Sequence, residues 1–301
     1  MNFLPSAFRH AMLASSCAML GAVAVSAQPA MAQPATAQQR TVAADTAVAS
    51  GPTYADLVDL AEGTPLVLKA RVKDQAVLKP ERAPNLAPGF ARLYVEAQTQ
   101  ALLAGNVPVG ESLRYLVDVP LDAKGKVPKF KKQDVLLFAR PVAGRPNELQ
   151  LVDPRAQLAW TPDLESRLRP VLEQLATADR PPQVTGVRDA LSIAGTLVGE
   201  SETQLFLDTE NDGPVSITVV RRPGMEPRWG VSWTEIVDQA ARPPRAGTLE
   251  WYRLACALPR TLPADANLSR DAQSRARATE DYAWVISRLG PCERRRDSNR
   301  S

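Results

Sequence analysis

Glu202 to Arg222, ETQLFLDTENDGPVSITVVRR, leaves this 301-residue chain few choices. Two runs rich in β-formers flank the turn residues Asn211-Asp212-Gly213, a strong local signal for a β-hairpin. Val215, Ile217 and Val219 fall on one face of its second strand, so another layer must cover that face. Trp229, Trp233, Trp251 and Trp284, four of the five tryptophans, follow the hairpin.

The rest of the second half supplies the layer. Val187 to Ala194 reads as a strand before the hairpin, and Trp229 to Ile236 as one after the Pro223-Gly224 turn. Ala240 to Gly247 is a Pro-rich loop. Thr248 caps a helix over Leu249 to Leu258 that Pro259 ends. Ser269 is the expected cap of a longer helix closing at Gly290-Pro291. Ala272, Ala276, Thr279, Ala283, Ile286 and Leu289 are its expected inner stripe. Glu293 to Ser301 is a polar, Arg-rich tail expected to fray.

The N-terminus reads as an export signal. Arg9 and His10 form a short basic region, Ala11 to Val25 is apolar, and Ala30-Met31-Ala32 offers a cleavage site before Gln33. The apolar run is too short for a stable span. Its removal, leaving residues 1–32 behind, places the mature chain in the periplasm or outside the cell. It also takes away Cys17 and His10, the single histidine. Cys256 and Cys292 then remain, an even count that an oxidising compartment joins as a disulfide. In the chain-entropy view that bond contributes about 4 kcal/mol.

Residues 33–50 are rich in Ala, Gln and Thr without an apolar period and read as a disordered spacer. Thr53 caps a helix over Tyr54 to Glu62, with Asp56 completing the cap and Gly63 stopping it. Period-two alternation marks strands at Leu66 to Lys73 and Ala91 to Gln98. Leu113 to Val119, Val135 to Ala139 and Leu149 to Val152 follow. Five short strands with Pro/Gly/Lys connections suggest a small antiparallel barrel or sandwich. Thr161-Pro162-Asp163 opens a helix carrying Leu164, Leu168, Leu172 and Leu175; Pro170 inside it predicts a kink or a split. The expected division is a barrel-like domain over 51–178, a linker at 179–183 and an α+β domain over 184–292.

From Thr64 to Trp160 the order strand, long turn, strand, Gly110-Glu111-Ser112, strand, basic turn, Val135-Leu136-Leu137-Phe138-Ala139 resembles exported small barrels of the OB and netrin-inhibitor type. The whole chain is also similar to exported proteins of alphaproteobacteria, a likeness that implies no activity. The fold expected is α+β: an OB-like antiparallel barrel, then an antiparallel sheet packed with a helical hairpin.

The chemistry is narrowed by what the mature chain would lack. Without histidine there is no Ser-His-Asp triad, no Cys-His pair and no imidazole zinc ligand. Gly199-Glu200-Ser201-Glu202-Thr203 nears a nucleophile elbow but misses its closing glycine. Asp208 to Gly213 resembles half a calcium loop, yet Val219 stands where a bidentate glutamate is needed. The preferred reading there is a turn, with no cofactor and no metal expected. Glu200 and Glu202 are candidate acid and base for a glycosidase. Lys124, Lys126, Lys129, Lys131 and Lys132, with Phe130 among them, form a candidate anion site or a solvated turn that blocks strand pairing. Trp229 and Trp233 are candidate ligand-stacking rings or core residues.

The net charge of +3 selects no partner class. The favoured function is a non-catalytic binding or envelope-maintenance module. Its partner would be an envelope protein or an anionic glycan or lipid headgroup, not nucleic acid. The alternative is a carboxylate-dependent hydrolase acting on envelope glycans.

Overall fold

The computed structural model describes residues 51–234 and 241–296. The leader and spacer readings at 1–50 lie outside the described residues, as does the end, past Thr234, of the strand expected over Trp229 to Ile236. The described residues belong to one compact unit.

Its first part is a closed barrel. The helix α1 (Tyr54–Ala61) leads into β1 (Leu66–Val77), β2 (Phe90–Ala104), β3 (Ser112–Pro120), β4 (Asp134–Val142) and β5 (Arg145–Leu151). The order is β1-β2-β3-β5-β4, and β4 pairs back onto β1. All pairings are antiparallel except β3 with β5, which is parallel. This is the five-stranded OB-like arrangement. Closure works because β1 serves two neighbours: Leu66 to Arg71 meet β4, while the whole strand meets β2. Three register shifts along the β1–β2 ladder supply the curvature. Leu66, Leu68, Ala70 and Val72 of β1, Leu93 and Val95 of β2, and Leu113 and Tyr115 of β3 are all buried in the core. A short sixth strand, β6 (Gln157–Ala159), extends from β4.

The helix α2 (Pro162–Ala176) follows, capped by Thr161. Pro170 neither splits nor ends it. Leu164, Leu168, Val171 and Leu172 point inward, whereas Pro170 and Ser166, whose carbonyl loses its partner, are exposed. Water can take the vacated bond on that side, so the proline is tolerated.

The second sheet contains β7 (Val184–Ala194), β8 (Ser201–Thr209), β9 (Val215–Arg221) and β10 (Arg228–Ser232), in order β10-β9-β8-β7 and antiparallel throughout. The β8–β9 hairpin turns at Asp212, which takes a positive φ of 55°. Two helices complete the layer: α3 (Leu249–Ala255), capped by Thr248, and α4 (Ala272–Leu289). Cys256 and Cys292 are bonded to each other, stapling the open end of this helical hairpin.

Two details of α4 differ from the sequence expectation. Its cap is Asp271, whose carboxylate accepts from Ser274 N–H, while Ser269 Oγ accepts instead from Ser192 N–H of β7. Its inner stripe is Ala278, Asp281, Tyr282, Val285 and Leu289. Pattern reading placed the acid outside; buried ion-pairing partners bring it in.

The barrel and the second sheet share one continuous apolar cluster, and α1 is the hinge pin between them. Arg253 of α3, only 3% exposed, gives two hydrogen bonds to Glu62 at the end of α1, at 2.8 and 2.5 Å. Its Nε also donates to the carbonyl of Pro181, in the connection between α2 and β7. Tyr252 Oη donates to Asp59 at 2.5 Å, and Arg294 donates to the same carboxylate. Glu293 to Arg296, read from sequence as tail, are held here too. Thr53 donates to the Glu293 carbonyl, and the buried Asp56 carboxylate accepts from the N–H groups of Arg295 and Arg296.

Arg253→Ala should leave Glu62 without its charge partner and lower the unfolding free energy by about 3–5 kcal/mol, nearer the lower figure because Glu62 keeps some solvent contact. Urea titration measures it, and Arg253→Ala with Glu62→Ala should cost clearly less than the two single losses added. Tyr252 supplies a pH signature. Burial first, then its bond to Asp59, raise its phenol to about 12, against about 10 in an unfolded chain. A raised pKa means this contribution is whole below about pH 10 and is lost as pH climbs through about 12. Stability should therefore fall with pH in that window, and Tyr252→Phe should flatten the slope.

Candidate functional site

The alternation of the second sheet divides its residues between two duties. Thr203, Leu205, Ile217, Val219, Trp229 and Val231 turn inward and are buried. The opposite face presents two cross-strand rows fixed by register: Glu202–Val220–Arg228 and Gln204–Thr218–Gly230. These six residues line a cavity of about 620 Å³, inside the range of about 300–1,000 Å³ usual for small-ligand sites.

Three further segments build its rim. The β9–β10 turn contributes Arg222, Met225, Glu226 and Pro227; the chain after residue 240 contributes Ala241, Arg242 and Pro243; and α4 contributes Trp284 and Arg288. Gly230 is required for this assembly, because a Cβ there would strike the Ala241 backbone. The absent side chain lets the Ala241–Pro243 stretch lie close beside β10, where the Arg242 carbonyl accepts from Val231 N–H at 3.4 Å. That contact brings Arg242 to the cavity.

Four guanidinium groups against two carboxylates make the site electropositive. Arg288 is the one of the four with an ion-pair partner among the described residues, Glu226 at 3.9 Å, and its guanidinium lies 5.2 Å over the Trp284 ring. Arg222, Arg228 and Arg242 are exposed. A concave surface with an excess of one sign of charge concentrates field, and guanidinium forks match carboxylate or phosphate oxygens two at a time. Gln204 Nε2 donates to Glu202 at 2.9 Å, so that acid accepts from the floor beside it.

The rim on α4 stays where it is because of a buried polar chain beneath the sheet. Asp281, with no exposed surface, accepts from Arg221 Nε and from Thr203 Oγ1, both at 2.5 Å. Thr203 has one hydroxyl proton and Asp281 can only accept, so Thr203 gives its proton there. The 2.9 Å contact between Thr203 and Ser192 hydroxyls is then a donation by Ser192. Ser192 N–H in turn donates to Ser269. The chain thus ties β7, β8, β9 and α4 together one turn before Trp284.

Of the residues singled out from sequence, Glu202 and Trp229 reach the cleft and the others fall elsewhere or take bland roles. The five lysines are exposed on the β3–β4 loop, where the Asp122 carboxylate accepts from the N–H groups of Lys124 and Lys126, and Lys131 pairs with Asp74. They line no described cavity. Trp229 belongs to the core and also touches the cleft; Trp233 is half-buried against the core. Glu202 lines the cleft, but Glu200 turns back to accept from Leu197 N–H in the β7–β8 turn. Ser201 is a buried strand residue whose hydroxyl has no partner among the described residues. Asp208 to Gly213 span the hairpin end, closed by a bond from Thr209 to the Gly213 carbonyl. Among the described residues no group of three or more His, Cys, Asp or Glu is placed to hold a metal, and no helix is long and apolar enough to cross a membrane.

Pattern reading missed the four rim arginines, Arg221 and Asp281. The available signal was weak: lysine is confined to Lys69–Lys132 and arginine serves the second half. No protein-family model matches the chain, and no curated protein matches it.

Truncating Asp281 to Ala should cost about 3 kcal/mol, the low end for breaking a buried pair, since Arg221 would lose its buried acid and keep only the exposed Glu280 at 3.3 Å. Asp281→Asn, which keeps the acceptor for Thr203, should cost less. Denaturant titration of both variants gives the comparison.

Proposed function

We propose that this protein is an exported, non-catalytic binding module that holds an anionic ligand in the arginine-rimmed cleft of its second sheet. The observation that carries the reading is the convergence of Arg222, Arg228, Arg242 and Arg288, from three separate segments, on one 620 Å³ cavity. Chain segments so far apart in sequence bring like charges together at a cost, and a bound anion offsets it. Export is supported by the leader-like N-terminus and by the Cys256–Cys292 bond, which persists in oxidising compartments. The partner class is an anionic component of the envelope, and the anion site sits in this cleft rather than on the lysine loop.

Citrate is a suitable small probe. At matched ionic strength it should raise the melting temperature above the value in chloride. Excluded-ion effects raise it too, so the readout is the part lost in Arg228→Ala/Arg242→Ala. Replacing Lys124, Lys126 and Lys129 should leave the citrate effect intact. An equal effect in the arginine double variant overturns the reading.

A further inference from the structure

The cleft has a composition that a simple anion site does not need. A single carboxylate or phosphate would be served by two arginines, yet the cavity is far larger and its floor is mostly uncharged. Gln204 and Thr218 lie side by side on β8 and β9, next to Gly230, and offer a neutral surface of donors and acceptors. Met225, Pro227, Pro243 and Trp284 supply apolar edges around it.

The two acids narrow the ligand further. Glu202 and Glu226 share the lining with the arginines. Carboxylates accept hydrogen bonds and donate none. They repel a densely charged chain such as a polyphosphate or a nucleic acid. They suit a ligand whose negative charges are spaced apart and whose body carries hydroxyl donors.

Resting on the anion-binding reading above, we infer that the ligand is an acidic oligosaccharide, with sugar rings on the Gln204–Thr218 floor and carboxylates of uronic-acid type on the arginine rim. Ring hydroxyls donate to Glu202 and accept from Gln204 Nε2 or the Thr218 hydroxyl. The C–H faces of the rings lie against Trp284 and Met225. An acidic peptide meets the charge requirement as well, but at its middle the β10 edge it would pair with is occupied: Val231 N–H already donates to the Arg242 carbonyl at 3.4 Å. Recognition is therefore by side chains on a sheet face, which suits rings better than an extended backbone.

Calorimetric titration of the full chain with tetragalacturonate, maltotetraose, tetraglutamate and inorganic phosphate tests this. Tetragalacturonate should bind. Arg228→Ala should weaken it about tenfold or more, the usual loss for a charged hydrogen bond, and Gln204→Leu severalfold, with unchanged melting of both variants as the folding control. Maltotetraose should bind far more weakly, for want of charge. Gln204→Leu should leave citrate binding unmoved, because citrate engages the rim alone. Tetraglutamate binding as tightly as tetragalacturonate, or glycan affinity indifferent to Gln204→Leu, overturns the inference while the anion reading stands. Failure of every anion, citrate included, overturns both.

Discussion

A guanidinium almost out of water fixes the relation between the two halves of this protein. Arg253 reaches Glu62 at the end of α1 and the carbonyl of Pro181 in the connection that leads to β7. Desolvating such a group is expensive unless it is paired and its donors are used. The geometry that satisfies it is therefore selective. It requires α1, α3 and the connecting segment to be present together, in one arrangement. The barrel closes on its own hydrogen bonds; α1 packs against α2 and is tied to α3 through Tyr252 and Arg253. The residues just after Cys292 close the same junction, since Asp56 uses its carboxylate both to cap α1 and to receive the N–H groups of Arg295 and Arg296. The disulfide holds that last segment within reach.

A second buried acid does comparable work under the sheet. Asp281 sits on the inner stripe of α4, where an apolar residue would serve packing alone. Its bonds to Arg221 and Thr203 set the register of α4 against β8 and β9. Apolar surfaces permit sliding; a carboxylate with two short bonds does not. This bears on the cleft because Trp284 and Arg288 follow within two turns on the same helix. Arg221 and Arg222 are neighbours with opposite assignments: one faces inward to Asp281, the other outward to the cavity. The alternation of a strand thus couples the core to the rim.

Local rules made much of the architecture legible. The caps at Thr53, Thr161 and Thr248, the period-two runs of the barrel and the Asn211-Asp212-Gly213 turn each depend on neighbours in sequence, and each is where those rules place it. Strand extents were underread, as with β2, which runs to Ala104, because its later residues lose their alternation while the ladder continues. Barrel closure depends on pairing residues more than sixty positions apart, such as Leu68 with Leu137, and no local pattern encodes that. The stripe of α4 was misjudged for a different reason. Amphipathic reading sends acids outward, and Asp281 and Tyr282 go inward only because partners on other elements satisfy them.

Glu202 and Trp229 of the candidate site were singled out from the sequence, but its arginine rim was illegible on two counts: the arginines come from separate segments, and the residue type is used everywhere nearby. Arginine in the second half performs two opposed tasks. Arg253, buried, and Arg221, partly buried, pair with acids and hold the fold; Arg222, Arg228 and Arg242 are exposed around a cavity. A string of letters cannot separate them, because the same planar fork suits a buried carboxylate of the protein and a carboxylate of a ligand. What separates them is whether the protein supplies the acid. The lysine run stood out for the contrary reason: contiguous charge is easy to see in a sequence and, spread along an open loop, focuses little field. Charge gathered by folding onto a concave face is the more informative arrangement, and here it gathers around a floor of neutral and acidic residues.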